Sequence, residues 1–257
     1  MSSKVIFFLI LFFLESPAFS NDGAAALFGG ELVFKQIQGI LVVEEDLYID
    51  PNVVKVSYRF LNRTKKTIKT LISFPVEYST GEDHNFDVEQ DNPNNFNVNV
   101  DGVEVKFKTK KTRRNEVVTI HQYWEQTFLP EKEIKISHSY KPIFSTSITD
   151  YMEVSANDYD QVWGKELKKF FCATPVQVQK MKEKKYIFKS LKYILKTANT
   201  WDGPIKHFTL TLGKGRFPHI FLCTDLNLKK VGENFVAKKE NFSPKKDLDI
   251  AFVGRWK

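Results

Sequence analysis

Residues 54–60 alternate. Val54, Val56, Tyr58 and Phe60 fall on one beat, and Lys55, Ser57 and Arg59 on the other. A strand turns successive side chains to opposite faces, so this period of two predicts a half-buried β-strand. Residues 62–66 (NRTKK) read as a polar turn, and residues 68–74 as the return strand. Phe96, Val98 and Val100 alternate up to Asp101-Gly102, and Val103, Val105 and Phe107 alternate after it. Two such runs about Asp-Gly predict a hairpin, because that dipeptide accepts the positive φ angles of a tight turn. Ile134, Ile136, His138 and Tyr140 form a further face that stops at Pro142. Strand patterns return at Leu191, Tyr193 and Leu195, and at 205–212, 219–223, 235–237 and 248–253. The fold expected is mainly β, with antiparallel, sandwich-like sheets.

One region departs from this beat. Between residues 158 and 185 the period lengthens, and Thr174-Pro175 looks like an N-cap followed by proline at the first helical position. Residues 177–184 continue as a short helix; a second over 161–171 is weakened by Gly164. This predicts a short helical insertion around residues 158–185. The polar stretch 146–150 is the natural boundary. It divides an N-terminal antiparallel β domain, 21–148, from a C-terminal β domain, 149–257, that carries the insertion. Packing of the two as one unit stays open.

The N-terminus has a separate logic. Lys4 precedes the apolar run 5–14 (VIFFLILFFL), Pro17 breaks it, and Ala18-Phe19-Ser20 places small residues before Asn21. That order predicts a secretory signal peptide, residues 1–20. Ten helical residues reach about 15 Å, half of a hydrocarbon core of about 30 Å. No other segment approaches about 18 continuous apolar residues, so no transmembrane segment is expected in the mature chain. The expected location is exported: periplasmic or secreted. Two cysteines, Cys172 and Cys223, then favour a disulfide over free thiols or a metal pair. Such a bond stabilises by about 4 kcal/mol on the chain-entropy model.

Residues 197–210 (TANTWDGPIKHFTL) join two alternating runs. Asp202-Gly203-Pro204 is turn chemistry, and Trp201 beside it is expected to fold over the corner and close one end of the core. The alternative is an exposed binding tip made of Trp201 and Asp202.

Several pieces then follow in a particular order: Asn21-Asp22, Gly29-Gly30, residues 45–49 (EDLYI), Ser73-Phe74-Pro75, and His138-Ser139-Tyr140 with Pro142. Cys172, residues 199–205 (NTWDGPI) with Phe208, and Cys223 complete it. Together they resemble a family of exported bacterial proteins known as a domain of unknown function, DUF4424. The resemblance spans nearly the whole mature chain and implies a β-rich, periplasmic or secreted protein of unassigned activity. It supplies no catalytic residue. The segments after Pro75 are short for that family. A weaker, fold-level likeness is to the β-sandwich of vault and inter-alpha-trypsin type domains.

Catalytic motifs are absent: there is no HExxH, GxSxG, P-loop or GxGxxG. His84, His121, His138, His207 and His219 are scattered without ligand spacing, and His121 and His138 on strand-like runs read as structural. Residues 87–101 are rich in oxygen-bearing side chains but lack EF-hand spacing, so turn chemistry is preferred to calcium. Glu44-Glu45-Asp46 reads as a solvated strand edge. No metal, cofactor or catalytic residue is assigned.

Charge changes the picture more. Residues 161–196 hold ten lysines against Glu166 and Glu183, a net of +8, while the whole chain is +7. Lys165, Lys168 and Lys169 lie three and four apart, as do Lys180 and Lys184, with Lys185 on the flank; these form a candidate anion-binding face. A solvated lysine face is the plainer alternative. Export directs such a face away from nucleic acid and toward anionic lipid, lipopolysaccharide or an acidic envelope protein. The function expected is therefore an exported, non-catalytic, envelope-associated binding or interaction module. The alternative is a periplasmic hydrolase with loop-borne acid and base groups such as Asp83, His84 and Asp202.

Overall fold

The computed structural model describes residues 23–28, 31–79, 91–115, 117–144, 168, 172–174, 176 and 186–255. The expected signal peptide and nearly all of the expected helical insertion lie outside the described residues. The described residues form sixteen strands and one 3-10 turn. In chain order the strands are β1 (Gly23–Phe28), β2 (Glu31–Phe34), β3 (Ile40–Ile49), β4 (Val54–Asn62), β5 (Ile68–Ser79), β6 (Asn97–Val100), β7 (Val103–Glu104) and β8 (Lys108–Arg114). They continue as β9 (Val117–Phe128), β10 (Glu133–Tyr140), β11 (Tyr186–Tyr193), β12 (Ile205–Gly213), β13 (His219–Cys223), β14 (Lys229–Val231), β15 (Asn234–Phe242) and β16 (Leu248–Arg255).

Three sheets result. The largest has the order β14-β15-β12-β3-β4-β10-β6-β7, the second β2-β1-β5-β9-β8, and the third β11-β16-β13. Neighbours are antiparallel except β12 and β3, which run parallel. The expected mainly β, sandwich-like architecture is what the chain adopts. Strands from both sides of residue 148 share the large sheet, because β12 and its neighbours dock against β3.

The alternation explains the layers. On the large sheet Leu47, Val56, Tyr58, Phe60, Ile136 and Leu210 point one way and are buried. On the second sheet Ile72, Phe74, Ile120, Trp124 and Phe128 do the same. The two faces meet, with Phe60 against Phe128 at 5.8 Å between ring centroids and Phe74 against Phe96 at 5.5 Å. Leu191, Tyr193, Ile250 and Phe252 of the third sheet extend the same apolar cluster. Each such side chain contributes about 1.5–3 kcal/mol of transfer free energy on burial.

Local chemistry fixes the turns. The Asn62 side chain is fully buried and donates to the carbonyls of Lys66 and Phe128, while its Oδ1 accepts from the Thr64 amide and hydroxyl. That network makes residues 62–66 the turn the sequence predicts. Asp101 and Gly102 have φ of 49° and 83°, the two positive values the hairpin demands. The strand after them is shorter than its alternation suggests: β7 has two residues, and Val103 is 68% exposed. Beyond it the Val105 amide still donates to the Val98 carbonyl, and Phe107 packs edge-on against Phe96. Leu195 likewise does not extend β11; it leads into the 3-10 turn Lys196–Thr200, whose first amides are held by Asp247.

Two expectations need correction or relocation. Glu44-Glu45-Asp46 is no sheet edge, since β3 lies between β12 and β4 and Glu45 is fully buried. The parallel partner β12 covers what a local reading leaves open. In the amide-rich stretch, residues 87–90 lie outside the described residues. Beyond them, Asn92 brackets a turn through both backbone groups of Phe96, and Asn94 accepts from buried Gln122.

Candidate functional site

The Trp201 corner lies where the chain crosses from the third sheet to the large one. The ring is 1% exposed and packs against Phe60 at 4.7 Å and Phe128 at 6.2 Å. Asp202 works as a latch. Its Oδ2 accepts from the Gly39 amide at 2.8 Å and meets Arg63 at 2.6 Å, and its own amide donates to the Ile40 carbonyl. Gly203 then takes φ of 90°, open to solvent. These groups fasten the start of β12 to the start of β3, which sets the parallel pairing. Asp202 is thereby committed to structure.

The other face of the large sheet carries a different chemistry. A depression of about 550 Å³ crosses β12, β3, β4, β10 and β6. Its floor is two rows of side chains set by register. Thr209, Asp46, Ser57, Ser137 and Asn99 stand opposite one another in successive ladders. Thr211, Tyr48, Lys55, Ser139 and Asn97 form the next row. With strands about 4.8 Å apart, five strands make a trough roughly 19 Å long.

Along the strand direction, polar contacts lie beyond both of its ends. At one end Arg59 makes a two-point pair with Glu44, at 2.9 and 3.1 Å, and reaches Glu133 at 3.3 Å. At the other the Tyr48 hydroxyl donates to Asp50 at 2.9 Å. Burial, reinforced by the Asp50 carboxylate, pushes the Tyr48 phenol up, so it stays a neutral donor. Asn99 donates to Asn97, which donates to Glu104. Between these ends, among the described residues, the side chains of Asp46, Ser57, Ser137, Ser139, Thr209 and Thr211 bond to no other protein group, and neither do the ammonium groups of Lys55 and Lys135. The trough therefore offers five hydroxyls, one carboxylate and two ammonium groups on a rigid floor.

The sequence does hold a signal for this face. The off-beat positions of β4, β6, β10 and β12 include Ser57, Asn97, Asn99, Ser137, Ser139, Thr209 and Thr211. These are short and uncharged, where a plainly solvated face favours Lys and Glu. What the sequence lacks is the strand order that sets them side by side.

Of the residues singled out from sequence, Cys172, Cys223, Trp201 and Asp202 lie away from this trough. Cys172 and Cys223 are bonded, with Cα atoms 5.0 Å apart. Lys168 is exposed; Lys165, Lys169, Lys180, Lys184 and Lys185 lie outside the described residues, as do Asp83 and His84. His138 is buried among Tyr58, Phe74 and Phe96 in the core. His121 stands 3.3 Å from the Ser73 hydroxyl, itself fully buried. Among the described residues no group of three His, Cys, Asp or Glu side chains has metal-binding geometry, and no helix is long and apolar enough to cross a membrane.

Known proteins place this geometry in context. A candidate nutrient binding protein from Legionella pneumophila is similar in fold, with a TM-score of 0.56 at 14% identity, over 92% of this chain and 72% of that one. More distant are the leukotriene A4 hydrolase of Saccharomyces cerevisiae and an M1 zinc metallopeptidase of Deinococcus radiodurans. The first has a TM-score of 0.37 at 12% identity, over 84% of this chain and 29% of the hydrolase. The second has a TM-score of 0.31 at 6% identity, over 84% and 43%. No curated protein matches the sequence. The model of the domain of unknown function DUF4424 matches residues 20–118 and 115–251, and the chain belongs to that family.

Proposed function

We propose that this chain is an exported, non-catalytic binding module and that its ligand lies in the trough of the large sheet. The observation that carries this is the set of unengaged polar side chains on the trough floor. Short hydroxyl and amide groups on a stiff sheet lose little entropy on binding and suit a ligand with several hydroxyls. Asp46 accepts from such hydroxyls. Lys55 and Lys135, four residues out of register on adjacent strands, favour a negative group on the same ligand. An anionic, hydroxyl-rich envelope component meets both demands. The residue 1–20 pattern and the +8 stretch at 161–196 support a setting beside anionic lipid or lipopolysaccharide. The hydrolase alternative is weakened by Asp202, whose carboxylate is held by Gly39 and Arg63. The nutrient-binding description of the Legionella protein agrees with a binding role.

The test is calorimetric titration with galacturonate, galactose and acetate against the wild type and a Ser57→Leu/Ser137→Leu variant. Galacturonate is expected to bind the wild type more tightly than either partial mimic. Filling the floor with leucine should abolish that binding without lowering the melting temperature. Equal affinity in the variant, or no preference among the three probes, would sink the proposal.

A further inference from the structure

A second charged region lies far along the chain from residues 161–196. Lys106, Lys108, Lys110, Lys111, Arg113 and Arg114 fall within nine residues, with no acidic residue among them. Most of them lie on β8, which is the edge of the second sheet. β8 is paired with β9 along its full length, from Lys108 opposite Tyr123 to Arg114 opposite Val117. Among the described residues its other side carries no strand. At seven residues it is much longer than the two- and three-residue strands that end the large sheet. A long edge presents a row of backbone donors and acceptors ready to pair.

The charges select what can pair there. Cations at an edge block association with another copy of the same edge, since like charges directly opposite one another repel. One or two lysines suffice for that purpose. Here the register places Lys108 and Arg114 on one face of the sheet and Lys111 on the other. A strand added beside β8 would meet cations on both of its faces. We propose that β8 is a docking edge for an extended, acidic polypeptide segment, which adds as a sixth strand of the second sheet. Main-chain hydrogen bonds hold the segment; Lys108 and Arg114 select for Asp and Glu at its alternate positions on one face, and Lys111 adds a cation on the other. The backbone ladder is what specifies a polypeptide rather than another polyanion. The role is separate from the trough, which belongs to a different sheet.

The test uses the full mature chain with its disulfide intact and a fluorescein-labelled ten-residue peptide alternating Glu and Thr. Anisotropy at low salt should show saturable binding that weakens as salt rises. Lys108→Glu with Arg114→Glu, both at exposed positions, should weaken it about tenfold or more. N-methylation of alternate peptide amides keeps the charge and removes the ladder. On the unmodified protein it should weaken binding by at least about tenfold as well. Three outcomes overturn the proposal: no saturable binding of the parent peptide, undiminished binding by the double variant, or equal binding of the N-methylated peptide. The last would mean attraction by charge alone.

Discussion

Leu47, Val56, Ile136 and Leu210 on one side of the large sheet are chain neighbours of Asp46, Ser57, Ser137 and Thr209 on the other. One residue of displacement separates a buried layer from a solvent-facing one. The inner residues are all but fully buried and belong to a cluster shared with both other sheets. The outer ones line a depression and, among the described residues, their side chains hydrogen-bond to no other protein group. The difference is one of constraint. Volume and shape fix the inner face, because interiors are close-packed. Hardly any folding free energy depends on which small polar group occupies the outer face. That freedom leaves the outer face open to the recognition role proposed for it, on a floor that the inner face keeps rigid.

Trp201 offers the strongest attack on the comparison. Among the described residues it is the largest fully buried side chain, and it bridges Phe60 and Phe128 across the two sheets. Trp201→Ala should cost about 3–5 kcal/mol, read as a lower midpoint in urea unfolding. A loss below about 1 kcal/mol would mean that the inner layer is not the constrained one. Next in size is the disulfide. Changing Cys172 and Cys223 to serine should lower stability by about 2–4 kcal/mol, through a loop of 51 residues, while ligand affinity at the trough stays the same. A parallel loss of affinity would couple the third sheet to the trough and blur the distinction.

Glu77 sharpens it with the opposite sign. On β5 it sits on the beat that faces away from the main core, yet it is half-buried near Lys192 and Asp247. Burial is the main cause that pushes its carboxyl up; Asp247 adds to the rise and Lys192 opposes it. A carboxyl whose folded pKa lies above its unfolded value favours the fold in its protonated form. Its contribution is present below the unfolded value and is lost as pH rises through the folded one. Glu77→Gln should therefore raise the melting temperature at pH 7 and leave it unchanged in acid. A variant destabilised at neutral pH would show that Lys192 outweighs burial. The smallest expected effect belongs to the outer face. Ser137→Ala and Thr209→Val should each change stability by no more than about 0.5 kcal/mol, while both weaken ligand binding. A large destabilisation by either would end the claim that this face is free of folding constraint.

Alternation alone located β4, β10, β12, β13 and β16, since each runs long enough for one beat to be mostly apolar. It also identified the Asp101-Gly102 turn, whose two positive φ angles that dipeptide permits. β8 escaped it: KTKKTRR has no apolar beat, and the strand exists because β9 beside it supplies a ladder. Glu45 misled in the opposite direction. An acidic triplet looks like an exposed edge until a parallel strand from 163 residues away is paired beside it. The Trp201 corner was visible as turn chemistry, but its latch to Gly39 and Arg63 joins segments distant in the chain. The trough was least legible. Its side chains were readable as outward-facing on each strand, because period two is a property of a single chain segment. Their assembly into two rows depends on which strands are neighbours, and on the parallel docking of β12 against β3. That order is set by how the apolar faces of all three sheets close on one another, and no segment holds the information alone. The sequence by itself thus determined the β class, the faces of its strands, the tight turns and the family. Tertiary structure decided which faces became core, which carboxylate went inside, and where the polar side chains gather.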